Sequence, residues 1–232
     1  MRVTLIAGRP RQGKTTLALE RGRAEAQRLL ILDPANSKVL REVPGFPTWA
    51  ELATWLRSPD ANGRWERALR SKEPRDYVEA LRCLEYLRHV TALIDEAHGF
   101  TTDPDARPWL AKAARTSAHY GGGTGCNLLL TAQRPVDVSP DVRAMVTRLY
   151  IFQTLEPGDL DWLVRFTQDP SMTERVAGLA PHAWLQYPPE DGEHESVSPG
   201  DGGGARGAGN LSARAEAEPD PAAARRAQVA RG

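Results

Sequence analysis

One stretch of this sequence combines glycines, a lysine and a threonine at a spacing that could bind the phosphates of a nucleotide. Residues 8–15 fit the pattern Gly-x-x-x-x-Gly-Lys-[Ser/Thr] without a mismatch. In that pattern backbone N–H groups surround the β-phosphate, Lys14 reaches the β- and γ-oxygens, and Thr15 ligates Mg²⁺. ATP and Mg²⁺ are therefore the expected cofactors. The residues expected to bind the nucleotide are Gly8, Arg9, Pro10, Arg11, Gln12, Gly13, Lys14, Thr15 and Thr16.

Two adjacent carboxylates, Asp95 and Glu96, end the apolar run that begins at Val90. An aspartate at this position holds the Mg²⁺ shell through water or through Thr15, so Asp95 completes the nucleotide-binding set and joins Thr15 as a predicted metal-binding residue. Glu96 would polarise the attacking water, which favours hydrolysis over phosphoryl transfer to a metabolite. The alternative is structural, a helix N-cap followed by an acid in the first turn. Because the same sequence also contains the phosphate loop, the catalytic interpretation is favoured.

A glutamine, Gln133, follows the next fully apolar run along the chain, 127–131. At a strand tip beside the nucleotide it could sense the γ-phosphate and align the attacking water. The alternative is a turn residue ahead of Pro135. Lys14, Glu96 and Gln133 are the catalytic residues that the sequence predicts within a single subunit.

The elements that must position these residues alternate between strand and helix. Strands are expected at 3–7, 29–33, 65–69, 90–96, 127–131, 149–153 and 183–187, and helices at 16–28, 48–57, 74–89, 105–119, 140–145 and 157–166. This alternation predicts an α/β fold, a mostly parallel sheet covered by helices on both faces. Ligands of such sheets gather at the carboxyl ends of the strands, where the phosphate loop, Asp95, Glu96 and Gln133 fall.

Composition limits the organisation of the chain and its partners. The 232 residues allow one α/β domain, expected over 1–187, and the Gly/Pro/Ala/Arg-rich segment 188–232 is expected to be a disordered tail. Thirty basic and thirty acidic residues cancel, so any nucleic-acid contact must come from local patches. Cys83 and Cys126 suggest neither a disulfide framework nor a metal site. No membrane span or signal peptide is recognisable, which predicts a cytoplasmic location.

Residues 128–135, Leu-Leu-Leu-Thr-Ala-Gln-Arg-Pro, resemble the sensor strand of the FtsK–HerA superfamily of DNA-translocating ATPases. The phosphate loop and segments 31–34, 95–98 and 142–151 extend the resemblance over most of the domain. It implies a three-layer P-loop NTPase fold of the RecA/ASCE-like kind and a homo-oligomeric ring, with six subunits expected. It also implies an arginine finger that enters the neighbouring subunit's site. Arg115 is the corresponding position, with Arg143 and Arg148 as alternatives and a solvated helix arginine as the plain interpretation.

Two branches of this superfamily are small: the genome-packaging ATPases of double-stranded DNA viruses that have an internal membrane, and the Zot-like assembly ATPases of filamentous phages. Zot-like proteins usually carry a membrane-spanning segment, so the sequence favours packaging. The main hypothesis is an ATP-hydrolysing motor that moves double-stranded viral DNA into a capsid, with the glycine-rich loop 120–125 or the loop 99–107 facing the DNA. Capsid or membrane-associated viral proteins are further expected partners, in the host cytoplasm or on the virion. The alternatives are a Zot-like assembly ATPase that does not act on DNA and a monomeric small-molecule kinase.

Overall fold

The computed structural model describes residues 2–119, 126–189 and 196–197 of the chain, and the side chains of His119, Ser196 and Val197 are outside this description. The glycine-rich loop 120–125 and almost all of the tail expected over 188–232 lie outside the described residues. The structural statements that follow concern the described part of the chain.

A single sheet runs through the described residues. Its strands are β1 (Val3–Ala7), β2 (Arg28–Leu32), β3 (Gly45–Phe46), β4 (Trp65–Leu69), β5 (Val90–Ile94), β6 (Cys126–Ala132), β7 (Arg148–Phe152), β8 (Trp184–Tyr187) and β9 (Ser196–Val197). The strand order is β3-β4-β2-β5-β6-β1-β7-β8-β9. Pairing is parallel from β3 to β7, whereas β8 pairs antiparallel with β7 and β9 antiparallel with β8. The predicted mostly parallel sheet is confirmed.

The helices cover both faces of the sheet, unevenly. They are α1 (Lys14–Glu25), α2 (Trp49–Leu56), α3 (Pro74–Cys83), α4 (His98–Thr102), α5 (Arg107–His119), α6 (Pro140–Arg143), α7 (Pro157–Thr167) and α8 (Met172–Ala177). Among these helices, α1 alone packs on one face, where Leu17 and Leu19 join a core with Ile6 and Ile31. The other seven contribute to the larger core on the opposite face. The predicted three-layer α/β fold is confirmed.

The order of the central strands determines which residues can meet. Parallel strands end at a common edge, termed here the carboxyl edge. The strand β6 lies between β5 and β1, with Ile94 paired with Leu130 and Ile6 paired with Thr131. The tips that carry the phosphate loop, the two carboxylates and Gln133 are therefore neighbours. Each of the three strands is almost wholly buried and apolar, as expected for a sheet covered on both faces.

The predicted helix bounds need correction at several places. The helix expected over 74–89 ends at Cys83, and His89 adopts a positive φ of 56° that no α-helix accommodates. The helix expected over 105–119 begins at Arg107, because the Asp103 carboxylate accepts hydrogen bonds from the N–H groups of Asp105 and Ala106 ahead of it. Four short elements, β3, α4, α8 and β9, were not predicted, because they are too short to show a periodic pattern.

Candidate active site

The phosphate loop connects β1 to α1 through two glycines with positive φ. Gly8 has a φ of 146°, and a Cβ placed on it would lie 2.5 Å from the Cβ of Phe152 on β7. Gly13 has a φ of 94° and is the N-cap of α1. The first helical hydrogen bond runs from the N–H of Leu17 to the oxygen of Gly13, so the N–H groups of residues 14–16 have no acceptor within the helix. These donors and the helix dipole point at the place where phosphates would bind.

Lys14 is folded into the loop that precedes it. Its side chain is buried, and Nζ donates a hydrogen bond to the backbone oxygen of Arg9 at 2.9 Å. Burial lowers the pKa of Lys14, and the carboxylates of Glu96 and Asp95 oppose this shift. The ammonium group is thus close enough to both acids of the β5 tip to interact with them electrostatically. Lys14 and the acid pair therefore lie near one another, and their common role at a nucleotide stays a prediction.

Asp95 connects the phosphate loop to the sheet. Its carboxylate is almost completely buried, and Oδ1 accepts hydrogen bonds from the hydroxyl of Thr15 at 3.0 Å and from that of Thr131 at 2.7 Å. Burial raises the pKa of Asp95, and the bonds from Thr131 and Thr15 oppose this rise. The predicted pair Thr15 and Asp95 is therefore in direct contact.

The donor set at this point fits Mg²⁺. A carboxylate and a hydroxyl oxygen are the hard ligands that this cation takes from proteins, with water and phosphate oxygens completing its octahedron. In the part of the chain that the structure describes, no group of three or more His, Cys, Asp or Glu side chains could hold a metal by itself. Thr15 and Asp95 would thus hold a cation that is shared with a nucleotide.

Thr131, near the tip of β6, is a site residue that the sequence reasoning missed. Its hydroxyl donates to Asp95 and accepts a hydrogen bond from the N–H of Glu96 at 2.9 Å, and the N–H of Ala97 donates to its backbone oxygen at 2.7 Å. It fixes both acids relative to the strand that carries Gln133. The signal available in the sequence was a single hydroxyl residue at the end of an otherwise apolar run.

Glu96 has a backbone conformation that is rare for this residue type. Its φ is 52°, in the left-handed region, which costs on the order of 1 kcal/mol for a residue with a Cβ and occurs often at functional sites. One carboxylate oxygen, Oε2, lies 3.2 Å from Nδ1 of His98. Their orientation does not form a hydrogen bond, and both atoms are shielded from solvent. Among the described residues, Oε2 of Glu96 thus has no hydrogen-bond partner.

Gln133 directly follows β6, and its side chain is exposed at the carboxyl edge. The strand order places it between the tip of β5, with Glu96, and the phosphate loop that follows β1. The next residue, Arg134, points elsewhere: its Nε lies 3.1 Å from Oδ2 of the fully buried Asp159 on α7. Arg134 is thus engaged with α7, and the role of Gln133 as sensor of the γ-phosphate stays a prediction.

The three candidate arginines lie in different environments. Arg115 is exposed on α5 and makes no ion pair with another described residue. Arg148 begins β7, at the edge opposite the phosphate loop, and pairs with Glu25 at 3.1 Å. Arg143 has a buried Nε without a hydrogen-bond partner, and its guanidinium lies 5.9 Å from the ring centre of Trp162. Exposure favours Arg115 as a group that could act on another subunit.

The fold and the phosphate loop are those of a P-loop NTPase. No protein-family model matches the sequence, and no curated protein sequence matches it. Solved structures do match. The genome packaging NTPase of Sulfolobus turreted icosahedral virus 2, in complex with AMPPCP, is 16% identical and superposes with a TM-score of 0.61, covering 85% of this chain and 97% of that one.

Two further structures share the architecture. The DNA-packaging ATPase of Sulfolobus turreted icosahedral virus is 18% identical, with a TM-score of 0.58 over 85% of this chain and 97% of that chain. VirB4 of Thermoanaerobacter pseudethanolicus is 11% identical, with a TM-score of 0.56 over 84% and 88% of the two chains. At these identities the likeness establishes a common fold. Within the described residues, no helix has the length and apolar character needed to cross a membrane.

Proposed function

We propose that this protein is an ATP-hydrolysing motor of the FtsK–HerA superfamily that packages double-stranded viral DNA. The observation that carries the proposal is the adjacency of β5, β6 and β1, which brings Lys14, Glu96 and Gln133 to one stretch of the carboxyl edge. Likeness to the fold of two viral packaging enzymes supports the choice of DNA as cargo.

Hydrolysis follows from the arrangement of these side chains. The N–H groups at the start of α1 bind the β- and γ-phosphates, and Lys14 exchanges its bond to Arg9 for bonds to phosphate oxygens. Glu96 orients and polarises a water for in-line attack on the γ-phosphorus, while Gln133 aligns that water against the phosphate. The bond between the γ-phosphorus and the oxygen that bridges it to the β-phosphate breaks, the proton of the water passes to Glu96 and then to the released phosphate, and ADP and phosphate leave. Thr15 and Asp95 would hold Mg²⁺, which would supply charge neutralisation of the phosphates.

A second subunit would complete the surroundings of the γ-phosphate. Glu96 and Gln133 are partly or fully exposed to solvent, whereas phosphoryl transfer is fastest where positive groups surround the γ-phosphate and water is excluded. An exposed arginine from a neighbouring copy, for which Arg115 is the proposed residue, would complete the surroundings in a ring. Contacts to the DNA backbone would come from segment 99–107, which was expected to be a loop but contains most of α4 and the first residue of α5; its Arg107 lies 3.4 Å from Asp141 on the surface.

The decisive experiment measures ATP turnover of the full chain with and without double-stranded DNA, together with the mass of the assembly in the presence of nucleotide. We expect an oligomer whose turnover rises several-fold with duplex DNA. Turnover in an oligomer that ignores DNA would instead favour a Zot-like assembly ATPase. A monomer that transfers phosphate to a small alcohol would identify a kinase and refute the proposal.

A further inference from the structure

We infer that His182 is a nucleoside-contacting residue, one that binds the base end of the nucleotide through its imidazole ring. This inference rests on the proposed nucleotide site, and it concerns a residue outside every motif in the sequence. A triphosphate has two ends. Its γ-phosphate must lie toward Glu96 and Gln133, on the β5 and β6 side of the phosphate loop. The ribose and base must therefore lie on the other side of the phosphate loop, where β7 and β8 come after β1 in the strand order of the sheet.

The pairing of β8 with β7 places His182 on that side. Phe152, whose Cβ would meet a Cβ on Gly8, is paired with Trp184 at the start of β8. The turn that leads into β8 contains His182, two residues before this pair. A Cβ placed on Gly13 would lie 3.8 Å from Nδ1 of His182, the single close neighbour of that position. The imidazole thus borders the last residue of the phosphate loop.

The strand β8, which follows this turn, packs against α1 at its first residue. The rings of Trp184 and Tyr150 meet edge-on, with their centres 5.1 Å apart. The guanidinium of Arg21 on α1 lies 5.1 Å from the ring centre of Tyr150 and 5.5 Å from that of Trp184. The N–H of Ala183 donates to the oxygen of Ala180 at 3.0 Å and closes the turn. Because α1 begins at the phosphate loop, the same contacts that fix β8 also fix the distance between His182 and the loop.

The backbone of His182 carries a second indication. Its φ is 65°, and it is exposed, so burial does not explain the left-handed conformation. Six residues other than glycine have a positive φ in the described part of the chain, and three of them, Arg11, Glu96 and His182, lie around the phosphate loop. His89 has the same conformation at the opposite edge, so the indication is the clustering of three such residues around the loop, as is common where ligands bind.

The chemistry of the ring fits a nucleoside. An imidazole offers a flat face for stacking on a base and two nitrogens that can hydrogen-bond with ribose hydroxyls. Stacking of a base on a ring side chain contributes about 1–3 kcal/mol, which corresponds to a fivefold to 150-fold change in affinity. The contact is with the nucleoside, so inorganic tripolyphosphate should bind without using it.

The test compares His182→Ala with His89→Ala in the full chain. His89 is an ideal control because it is exposed, has a φ of 56° and precedes β5, at the edge opposite the phosphate loop. Calorimetry with Mg²⁺ gives the affinity for a non-hydrolysable ATP analogue and for tripolyphosphate. We expect His182→Ala to weaken the ATP analogue about tenfold and tripolyphosphate not at all, His89→Ala to change neither, and His182→Phe to restore most of the affinity.

Two results would overturn the inference. Equal affinities of His182→Ala and His89→Ala for the ATP analogue would remove His182 from the site. Equal losses for the analogue and tripolyphosphate would mean a phosphate contact. The proposed function fails separately, if the unaltered protein binds the analogue but does not hydrolyse ATP. In that case the ratio of the affinities of His182→Ala and His89→Ala for the ATP analogue still decides the role of His182.

Discussion

At the scale of single residues, the hydroxyl of Thr131 has more structural consequence than its place in an apolar strand indicates. It is fully buried and bonds to Asp95 while accepting from the N–H of Glu96. Thr131→Val keeps the shape but removes one of the two hydrogen bonds to the buried carboxylate of Asp95 and leaves the N–H of Glu96 without its acceptor. We expect a loss of about 1–3 kcal/mol in the free energy of unfolding, measured by denaturant titration, and weaker Mg²⁺-dependent nucleotide binding.

Thr131→Ser retains the hydroxyl and serves as the matched control. It should keep nucleotide binding near normal, with a smaller loss of stability from the missing methyl group. A Thr131→Val protein as stable as the original and with the same Mg²⁺ affinity would show that Thr15 alone supports Asp95.

Glu96 gives the second prediction at this scale. Glu96→Gln has the same shape and removes the negative charge that polarises water, so binding should persist while chemistry stops. We expect kcat to fall at least about 100-fold, with the affinity for an ATP analogue within about threefold of normal. The checks are steady-state turnover and calorimetry. An equal loss of affinity and turnover would instead assign Glu96 to nucleotide binding.

The predictability of the site also differs residue by residue. Lys14, Thr15, Asp95 and Glu96 could be predicted because each belongs to a contiguous motif whose spacing reflects local geometry. Thr131 and His182 could not be predicted, since their positions depend on which strands pair and in what register. The pairing of Ile6 with Thr131 and of Phe152 with Trp184 is set by the whole sheet.

At the scale of elements, the spacing of β1 and β7 depends on Gly8. A Cβ there would lie 2.5 Å from Phe152 Cβ and 3.2 Å from its Cα, distances that only a shift of the backbone could relieve. Its φ of 146° adds strain to any other residue. Gly8→Ala should lower the free energy of unfolding by about 2 kcal/mol or more and displace the phosphate loop.

Gly99 on α4 provides the contrast for that experiment. A Cβ on Gly99 would meet nothing within 4 Å, and alanine is the better helix former, so Gly99→Ala should be neutral or stabilising by up to about 1 kcal/mol. Thermal unfolding of both variants gives the comparison. Similar stability of the two proteins would show that β7 yields to a side chain at position 8.

The attachment of α1 to the sheet gives a pH-dependent prediction. Arg23 on α1 makes two hydrogen bonds of 2.9 Å to the carboxylate of Glu66 on β4, and this bond from Arg23 lowers the pKa of Glu66 below its usual 4.5. An acid whose pKa is lowered by folding stabilises the protein above its unfolded pKa, and this contribution is lost as pH falls through the folded pKa. Both side chains are partly exposed, so the contribution should be about 0.5–1 kcal/mol.

Glu66→Gln tests this contribution. The difference in the free energy of unfolding between the original protein and the variant should be greatest near pH 7 and should vanish at pH values below the folded pKa of Glu66. Denaturant titrations at pH 7, 5 and 3 measure it, and Glu79→Gln, which removes another exposed ion pair within one helix, is the control. A difference that stays constant over this range would mean that the charge of Glu66 has no part in it.

Elements were predictable in proportion to their length and burial. The apolar runs of β1, β2, β5 and β6 could be identified because strands buried on both faces leave continuous hydrophobic segments. The extent of α3 could not, because leucines at helical spacing continue beyond Cys83 while the chain turns before His89. The helix ends there because the chain must enter β5 at Val90, although the local sequence favours a longer helix.

At the scale of the whole molecule, the two faces of the sheet are covered by different numbers of helices. The single helix α1 covers one face and starts from the phosphate loop, while α2 to α8 cover the other. The candidate site adjoins both helical layers, because α1 begins at the phosphate loop and segment 95–97 joins β5 to α4.

The ring that we propose leads to the last prediction, that two subunits share each active site. Lys14→Ala should abolish ATP hydrolysis, because Lys14 is the single lysine of the phosphate loop 8–15. Arg115→Ala should lower turnover by about 10³-fold or more if its guanidinium completes a neighbour's site. Mixing the two inactive proteins should restore part of the activity, since an Arg115→Ala subunit keeps its own phosphate loop and receives an arginine from a Lys14→Ala neighbour.

Turnover measured across mixing ratios should pass through a maximum near equal amounts, because mixed pairs are then most abundant. Arg148→Ala is the control: that arginine pairs with Glu25 at the opposite edge, so its loss should leave turnover nearly unchanged. Mixtures that stay inactive at every ratio, although the proteins form joint assemblies, would argue against an arginine supplied in trans by Arg115. Activity of Arg115→Ala alone would direct the search to Arg143, the remaining candidate, whose shielded Nε would have to turn outward in the assembled ring.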